Sequence, residues 1–296
     1  MQSLVQLHAS SAGISLLPRS AGAQTAGNYL SRFKGRGMEF AESRPYEPGD
    51  DARNLHWRVM ARTGKPFTKQ FREERERPVL LWVDLRSRMF FGTRVALKSV
   101  VAARCTALLA WAANRIGDRI GGVIFSDRVH HEIKPVRGKA AVLYLIRLLV
   151  EHAAWDAPKQ SQSRHSAREA MTRLRRVVRP GSRVILISDF ANFDAATESH
   201  LAQLARHSEI TLLHVYDAVE ADLPPPGRYR LSDGSRDFVI DTADPQYRAA
   251  YAAKFTAHLE YLRTFARRHR ISFVSCRTDQ DPIRVLRAEL GGRKPV

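Results

Sequence analysis

Short apolar runs recur through the second part of the chain, each bounded by turn-forming or charged residues. Val79-Leu80-Leu81-Trp82-Val83 follows Pro78 and closes on Asp84. Arg119 to Phe125, Val184 to Asp189, Ile210 to Tyr216 and Ile271 to Cys276 repeat the theme. Unbroken apolar stretches of this length suit strands covered on both faces, whereas half-exposed strands alternate. Between them lie segments with helical spacing. Gly92 to Gly117 has apolar positions at Val95, Val100, Val101, Leu108, Leu109 and Trp111; Lys139 to Glu151 has Val142, Leu145, Ile146 and Leu149. Ala167 to Val178, Thr197 to His207, Ala243 to Arg268 and Pro282 to Leu290 also read as helices, and Val129 to Val136 as an edge strand beside Arg119 to Phe125. Ala157 to His165 is polar and reads as a surface loop. After Pro224-Pro225-Pro226-Gly227, alternation around Asp233-Gly234 up to Asp241 predicts a hairpin. Strands alternating with helices predict an α/β fold, a mostly parallel doubly wound sheet with helices on both faces.

The stretch from Gly35 to Asp84, which ends in the first of these strands, has a different texture, with nearly balanced charge and Gly/Pro punctuation. Pro48-Gly49 predicts a turn, since proline presets φ and glycine accepts angles that other residues avoid. Asp50 and Asp51 stand where a helix N-cap carboxylate belongs. Ala52 to Arg62 then predicts one helix, with Leu55, Val59 and Trp57 packed inward and Arg53, Arg58 and Arg62 leaving on other faces. Tyr46, Phe40 and Trp57 read as anchors within an arginine-rich motif, and as a surface they would suit a protein partner. Gly64-Lys65-Pro66 ends the helix and Phe67 to Glu73 reads as a strand. Upstream, a short helix reaching up to Leu17 precedes a small-residue stretch expected to be mobile. Arg32, Lys34 and Arg36 around Gly35 and Gly37 form a basic loop without P-loop spacing.

Gly35, Gly37, Glu39-Phe40, Arg44, Tyr46, Pro48 to Asp51, Arg53, Trp57-Arg58, Ala61-Arg62-Thr63, Phe71 and Glu74-Arg75 together resemble the central motif of the domain-of-unknown-function 58 (DUF58) family. The rest of the chain looks more loosely like a von Willebrand factor type A domain. The resemblance implies an N-terminal segment over 1–34, a motif lobe over 35–77, and a type A-like domain over 78–296 with the hairpin inserted near 223–241. It also implies association with a MoxR-type AAA+ ATPase, as an adaptor in the maturation of other proteins or complexes.

In a doubly wound sheet the ligand crevice lies at the carboxyl ends of the strands, where strand order reverses. Asp84 and Asp189 both end strands. In the type A fold these are the first and fourth strands, which neighbour each other, so the two carboxylates are expected in one crevice. The resemblance implies a metal-ion-dependent adhesion site there, with Asp-x-Ser-x-Ser and a later Asp holding magnesium. This chain reads Asp84-Leu85-Arg86-Ser87-Arg88, with arginines at both serine positions. Mg²⁺ takes hard oxygen ligands at about 2.0–2.1 Å, and arginine offers no acceptor. The expectation is a degenerate site in which Arg86 or Arg88 forks onto Asp84 or Asp189. Two alternatives remain: arginines turned to solvent, or a residual metal held by Asp84, Ser87 and Asp189. Asp118 and Asp127 read as turn or capping residues, and His130-His131 point to opposite faces of a strand. No nucleophile elbow, HExxH or Cys/His cluster is present. A non-enzymatic interaction protein is therefore expected, without a cofactor; a metal-dependent hydrolase using the two aspartates is the weaker alternative.

The chain carries 48 Lys and Arg against 30 Asp and Glu, a formal charge of +18. Such charge invites a polyanion or an acidic protein. Nucleic-acid binding is thus a second alternative, through Arg168, Arg173, Arg175 and Arg176 and through Arg263 to Arg270. No aromatics interleave with those arginines as a stacking surface would require. Cys105 and Cys276 are the only cysteines, which suggests a reducing compartment. Neither a signal peptide nor a membrane span is legible, so a cytoplasmic location is expected.

Overall fold

The computed structural model describes residues 1–16, 38–48, 50–73, 77–156, 167–191, 193–232 and 237–291. Expectations for the small-residue stretch before 34, the basic loop, Gly49, the Ala157 to His165 loop and the Asp233-Gly234 turn lie outside these residues. Two compact units are present, Met1–Pro18 with Arg77–Val296, and Arg19–Glu76.

The larger unit is built on a six-stranded sheet. Its strands are β3 (Pro78–Asp84), β4 (Arg119–Phe125), β5 (His130–Val136), β6 (Arg183–Ser188), β7 (Glu209–Tyr216) and β10 (Ser272–Arg277). The spatial order is β10-β7-β6-β3-β4-β5, all parallel except β5, which runs antiparallel to β4 at the edge. Chain order therefore reverses between β3 and β6, the first and fourth strands of the unit. This is the arrangement expected of a type A-like fold.

Alternation along β3 shows why its run is apolar throughout. Val79, Leu81 and Val83 face a core layer with α3 (Lys98–Arg115) and α4 (Lys139–Val150); α1 (Gln2–Ser10) and α9 (Pro282–Leu290) pack on the same side. Leu80 and Trp82 face the opposite layer, with α5 (Ala167–Val177), α6 (Ala195–Ala205) and α8 (Pro245–Arg268). A side-chain period of two then demands apolar residues at every position of a strand buried on both sides. Helix α1 ends earlier than expected, at Ser10, and the Trp111 indole N–H donates to the Leu4 carbonyl at 3.3 Å. The remaining elements are the single turn α7 (Ala218–Ala221) and the hairpin β8 (Arg228–Ser232) with β9 (Asp237–Asp241).

Helix α3 corrects one expectation. It starts at Lys98, not at Gly92, and Val95 lies in the preceding loop, 69% exposed. Gly92 turns so tightly that an added Cβ would sit 2.3 Å from the Ala96 carbonyl oxygen, and the Thr93 N–H is claimed by Asp217 at 3.0 Å. The Lys98 N–H reaches back to Phe91 O at 2.8 Å, closing a loop rather than a helical turn, and the first helical bonds start from Leu97 O.

The smaller unit pairs β1 (Met38–Pro45), which the sequence pattern did not reveal, with β2 (Phe67–Glu73) as an antiparallel ribbon. Between them the single expected helix is broken. A 3-10 turn over Ala52–Asn54, capped by Asp51 on the Arg53 N–H at 2.9 Å, is followed by α2 (Trp57–Thr63). Leu55 bridges to Thr68 and the His56 N–H donates to Phe67 O at 2.7 Å, so the ribbon takes the backbone groups a continuous helix would use. The helical phase is reset by this break. Leu55, Val59 and Met60 are half-buried, but Trp57 is 60% exposed and is not an inward anchor. Gly64, at φ 68°, ends α2 in the left-handed conformation that glycine tolerates.

Candidate functional site

The two strand-tip aspartates meet where the strand order reverses. Asp84 ends β3 and is fully buried; Asp189 follows Ser188, the last residue of β6, and is 5% exposed. Arg86 folds back onto Asp84 in a fork. Its Nε lies 3.0 Å from Oδ1 and 3.2 Å from Oδ2, and its Nη2 is 2.6 Å from Oδ2. The Arg86 backbone N–H adds a bond to Oδ1 at 3.0 Å, and the Ser188 hydroxyl donates to Oδ2 at 2.7 Å. Burial works against the guanidinium's charge, but Asp84 outweighs it and the Arg86 pKa stands above the ordinary arginine value. The guanidinium also sits over the Phe125 ring, 5.5 Å from its centroid.

Arg88 behaves differently from Arg86. It is exposed, and its Nε stands 3.6 Å from Asp189 Oδ2, an ion pair without a hydrogen bond. The cation that holds Asp189 is Lys98, at the first turn of α3, with no exposed surface and its Nζ 2.9 Å from Asp189 Oδ2. Ala191 N–H donates to Oδ1 at 3.1 Å. Burial pushes the Asp189 carboxyl upward, yet Lys98 with help from Ala191 and Arg88 holds its pKa at about 2. Phe190 between them has φ 49°, unusual outside glycine, and its N–H is tied to Ser188 Oγ at 3.1 Å.

Lys98 carries the network further. Its Nζ also lies 2.7 Å from Glu220 Oε1, and Glu220 Oε2 accepts the Asp217 N–H at 2.8 Å in the capping box of α7. Asp217 accepts from the Val219 N–H and from Thr93 and Thr278, which joins the loops after β3, β7 and β10. These contacts outweigh burial and leave the Asp217 pKa below the usual carboxylate range.

The expected donor set is thus partly corrected. The Ser87 backbone N–H reaches Asp127 Oδ2 at 2.7 Å, and the hydroxyl on Asp84 belongs to Ser188. Mg²⁺ needs about six oxygen ligands in octahedral array. Here the carboxylate oxygens are occupied by Arg86, Lys98 and backbone N–H groups, and two buried cations already meet their charge. The residues present do not fit the metal. Lys98, Glu220 and Asp217 escaped sequence reasoning, because the partners lie far apart in the chain and the start of α3 was not legible.

The motif residues come together in the smaller unit. Arg44 pairs with Asp50 at 2.7 Å and with Glu47 at 3.5 Å, and Asp50 accepts from the Glu47 N–H at 3.0 Å and Thr68 Oγ1 at 3.2 Å. Tyr46 is half-buried, with its N–H on Pro66 O at 3.0 Å. Arg53, Arg58 and Arg62 are exposed. On α5, Arg173 faces Glu132 at 3.5 Å, Arg175 meets His200 at 3.1 Å, and Arg176 is exposed; the Arg168 side chain lies outside the described residues. On α8, Arg263 is engaged by Glu260 at 2.8 Å. Among the described residues no helix is long and apolar enough to cross a membrane.

A family model for "Protein of unknown function DUF58" matches residues 42–261. Uncharacterized proteins of Mycobacterium bovis and Mycobacterium tuberculosis are 29% identical over 256 residues, covering 86% of this chain and 79% of each relative. Among solved structures, the conserved hypothetical protein BatB from Bacteroides thetaiotaomicron is 15% identical with a TM-score of 0.46, covering 72% of this chain and 96% of that one. An aerotolerance-related membrane protein from Bacteroides fragilis, crystallised with multiple mutations to serines, is 12% identical with a TM-score of 0.45 and the same coverages.

Proposed function

Because the chain belongs to the DUF58 family and carries both a type A-like sheet and the family's motif, we propose that it is a non-enzymatic adaptor that docks other proteins. The observation that carries this is the filling of the crevice: the Arg86 fork on Asp84 and the Lys98 bridge between Asp189 and Glu220. Catalysis at such a position needs a group free to take a proton, attack, or polarise a substrate. Carboxylates fully engaged by fixed cations supply none of these. They hold the strand-tip loops in one shape, as a docking surface requires. No cofactor is part of this proposal.

The proposed partner is a MoxR-type AAA+ ATPase, on the strength of the family resemblance, and the net charge of +18 suits an acidic face on it. Tagged chain recovered under gentle salt should bring a AAA+ ATPase with it, and calorimetric titration with Mg²⁺ or Mn²⁺ should show no binding. Micromolar metal binding abolished by Asp84→Ala would overturn the no-metal proposal. Repeated recovery without an ATPase would remove the proposed partner.

A further inference from the structure

The smaller unit presents an aromatic with most of its surface outside the unit's own packing. Trp57 opens α2 with 60% of its surface exposed. Ala61 lies one turn along the same column, Arg58 and Arg62 form the adjacent column, and all of these are exposed. Arg53 before the helix and Lys65 after it are exposed as well. None of these four cations forms a side-chain ion pair among the described residues. The nearby carboxylates are otherwise engaged: Asp50 by Arg44, and Asp51 by the Arg53 backbone N–H.

This surface stands on a fixed base. The His56 N–H bonds Phe67 O at 2.7 Å and the His56 ring meets Ser43 Oγ at 2.6 Å, which ties the start of α2 to both strands of the ribbon. Gly64 N–H on Met60 O at 2.9 Å closes its end. The helix backbone that carries Trp57 and the arginines is thus held in place before binding, and Trp and Arg dominate protein–protein hot spots.

We infer that the exposed face of α2 is a docking surface for an acidic protein segment, whose apolar side chain covers Trp57 while its carboxylates pair with Arg58 and Arg62. A lone indole favours this over a single-stranded nucleic acid, which would need successive aromatics to stack successive bases. The inference deepens the adaptor proposal and rests on it only for the idea that the partner is a protein.

The probe is a fluorescein-labelled twelve-residue peptide alternating Glu with Leu, followed by anisotropy against the full chain, with a twelve-nucleotide oligo-dT in parallel. Trp57→Ala and the pair Arg58→Gln/Arg62→Gln should each weaken peptide binding about tenfold, the loss of one hot-spot residue. Their thermal melts should match the parent, since the altered side chains are exposed. A parent chain that does not bind the peptide, or variants that bind it equally well, would overturn the inference. Tighter binding of oligo-dT, lost in the same variants, would overturn it in favour of nucleic acid. The two proposals fail separately. Peptide binding that the variants leave unchanged ends the α2 inference whether or not an ATPase is recovered, whereas peptide binding lost in the variants without any recovered ATPase upholds α2 and removes only the proposed ATPase partner.

Discussion

Lys98 has no exposed surface, and a buried ammonium persists only when its charge is met at close range. Here it is met twice, by Asp189 and Glu220. A buried pair of this kind is not strong evidence of net stability, because desolvation offsets most of the attraction. Removing one partner is different, since it strands the others. Lys98→Met should therefore cost about 3–5 kcal/mol in urea unfolding, while Arg88→Met, at an exposed pair, should cost less than about 1 kcal/mol. Equal losses would mean that the crevice does not depend on Lys98. Arg86 shows how far residue chemistry carries from sequence: an arginine two positions after a strand-end aspartate can fork back onto it, and it does. Arg88, by the same pattern, was an equal candidate, and it stays largely exposed with only a 3.6 Å ion pair to Asp189.

Strands and helices of the larger unit follow their hydrophobic pattern closely, because a strand buried on both faces has no polar position to spare. Backbone approach between strands is where the pattern says least. Gly122 in β4 has φ 153°, and a Cβ there would stand 1.9 Å from the Leu81 carbonyl oxygen on β3. Gly117, in the turn before β4, has φ 79° and open space around it. Gly122→Ala should therefore lose at least about 3 kcal/mol, the upper end of overpacking costs, and Gly117→Ala about 1–2 kcal/mol, the left-handed penalty alone. Similar losses at the two sites in denaturant titrations would show that β3 and β4 can separate to admit a methyl. Helix α2 is the opposite case. Its sequence supports one helix from Ala52, and the ribbon beside it decides that the first turn is separated from the rest at Leu55 and His56.

The folded chain as a whole should be sensitive to mild acid. His214 is 2% exposed, and burial holds its pKa near 3 although Asp189 pulls the other way. His152, 1% exposed, stands near 4 through burial and the proximity of His131. For a base whose folded pKa lies below its unfolded value, the unfolded chain binds more protons between the two. Stability is then complete above the unfolded value of about 6.5 and falls as pH drops toward 4. Each histidine contributes a slope of up to about 1.4 kcal/mol per pH unit. Asp189 adds its loss lower, as pH falls from its ordinary range through about 2. Urea midpoints should drop steadily from pH 7 to 4.5, and His214→Phe should flatten that slope. A flat profile across this range would show that the buried rings protonate without penalty.

The amino-acid order alone settled the α/β class, the strands that end in Asp84 and Ser188–Asp189, and the pair of arginines from which one would meet an aspartate there. It could do so because burial on two faces and a fork two residues away are local demands, readable from a few neighbouring positions. Lys98 at Asp189, Glu220 beyond it, the broken helix before Trp57 and that indole's exposure were fixed by the fold. These depend on groups from 91 to 122 positions apart for Lys98, and on strand pairing across the motif for α2, being brought together in space. No period or spacing in the chain records such a meeting, because the partners acquire their energies only once the strands have set the distances.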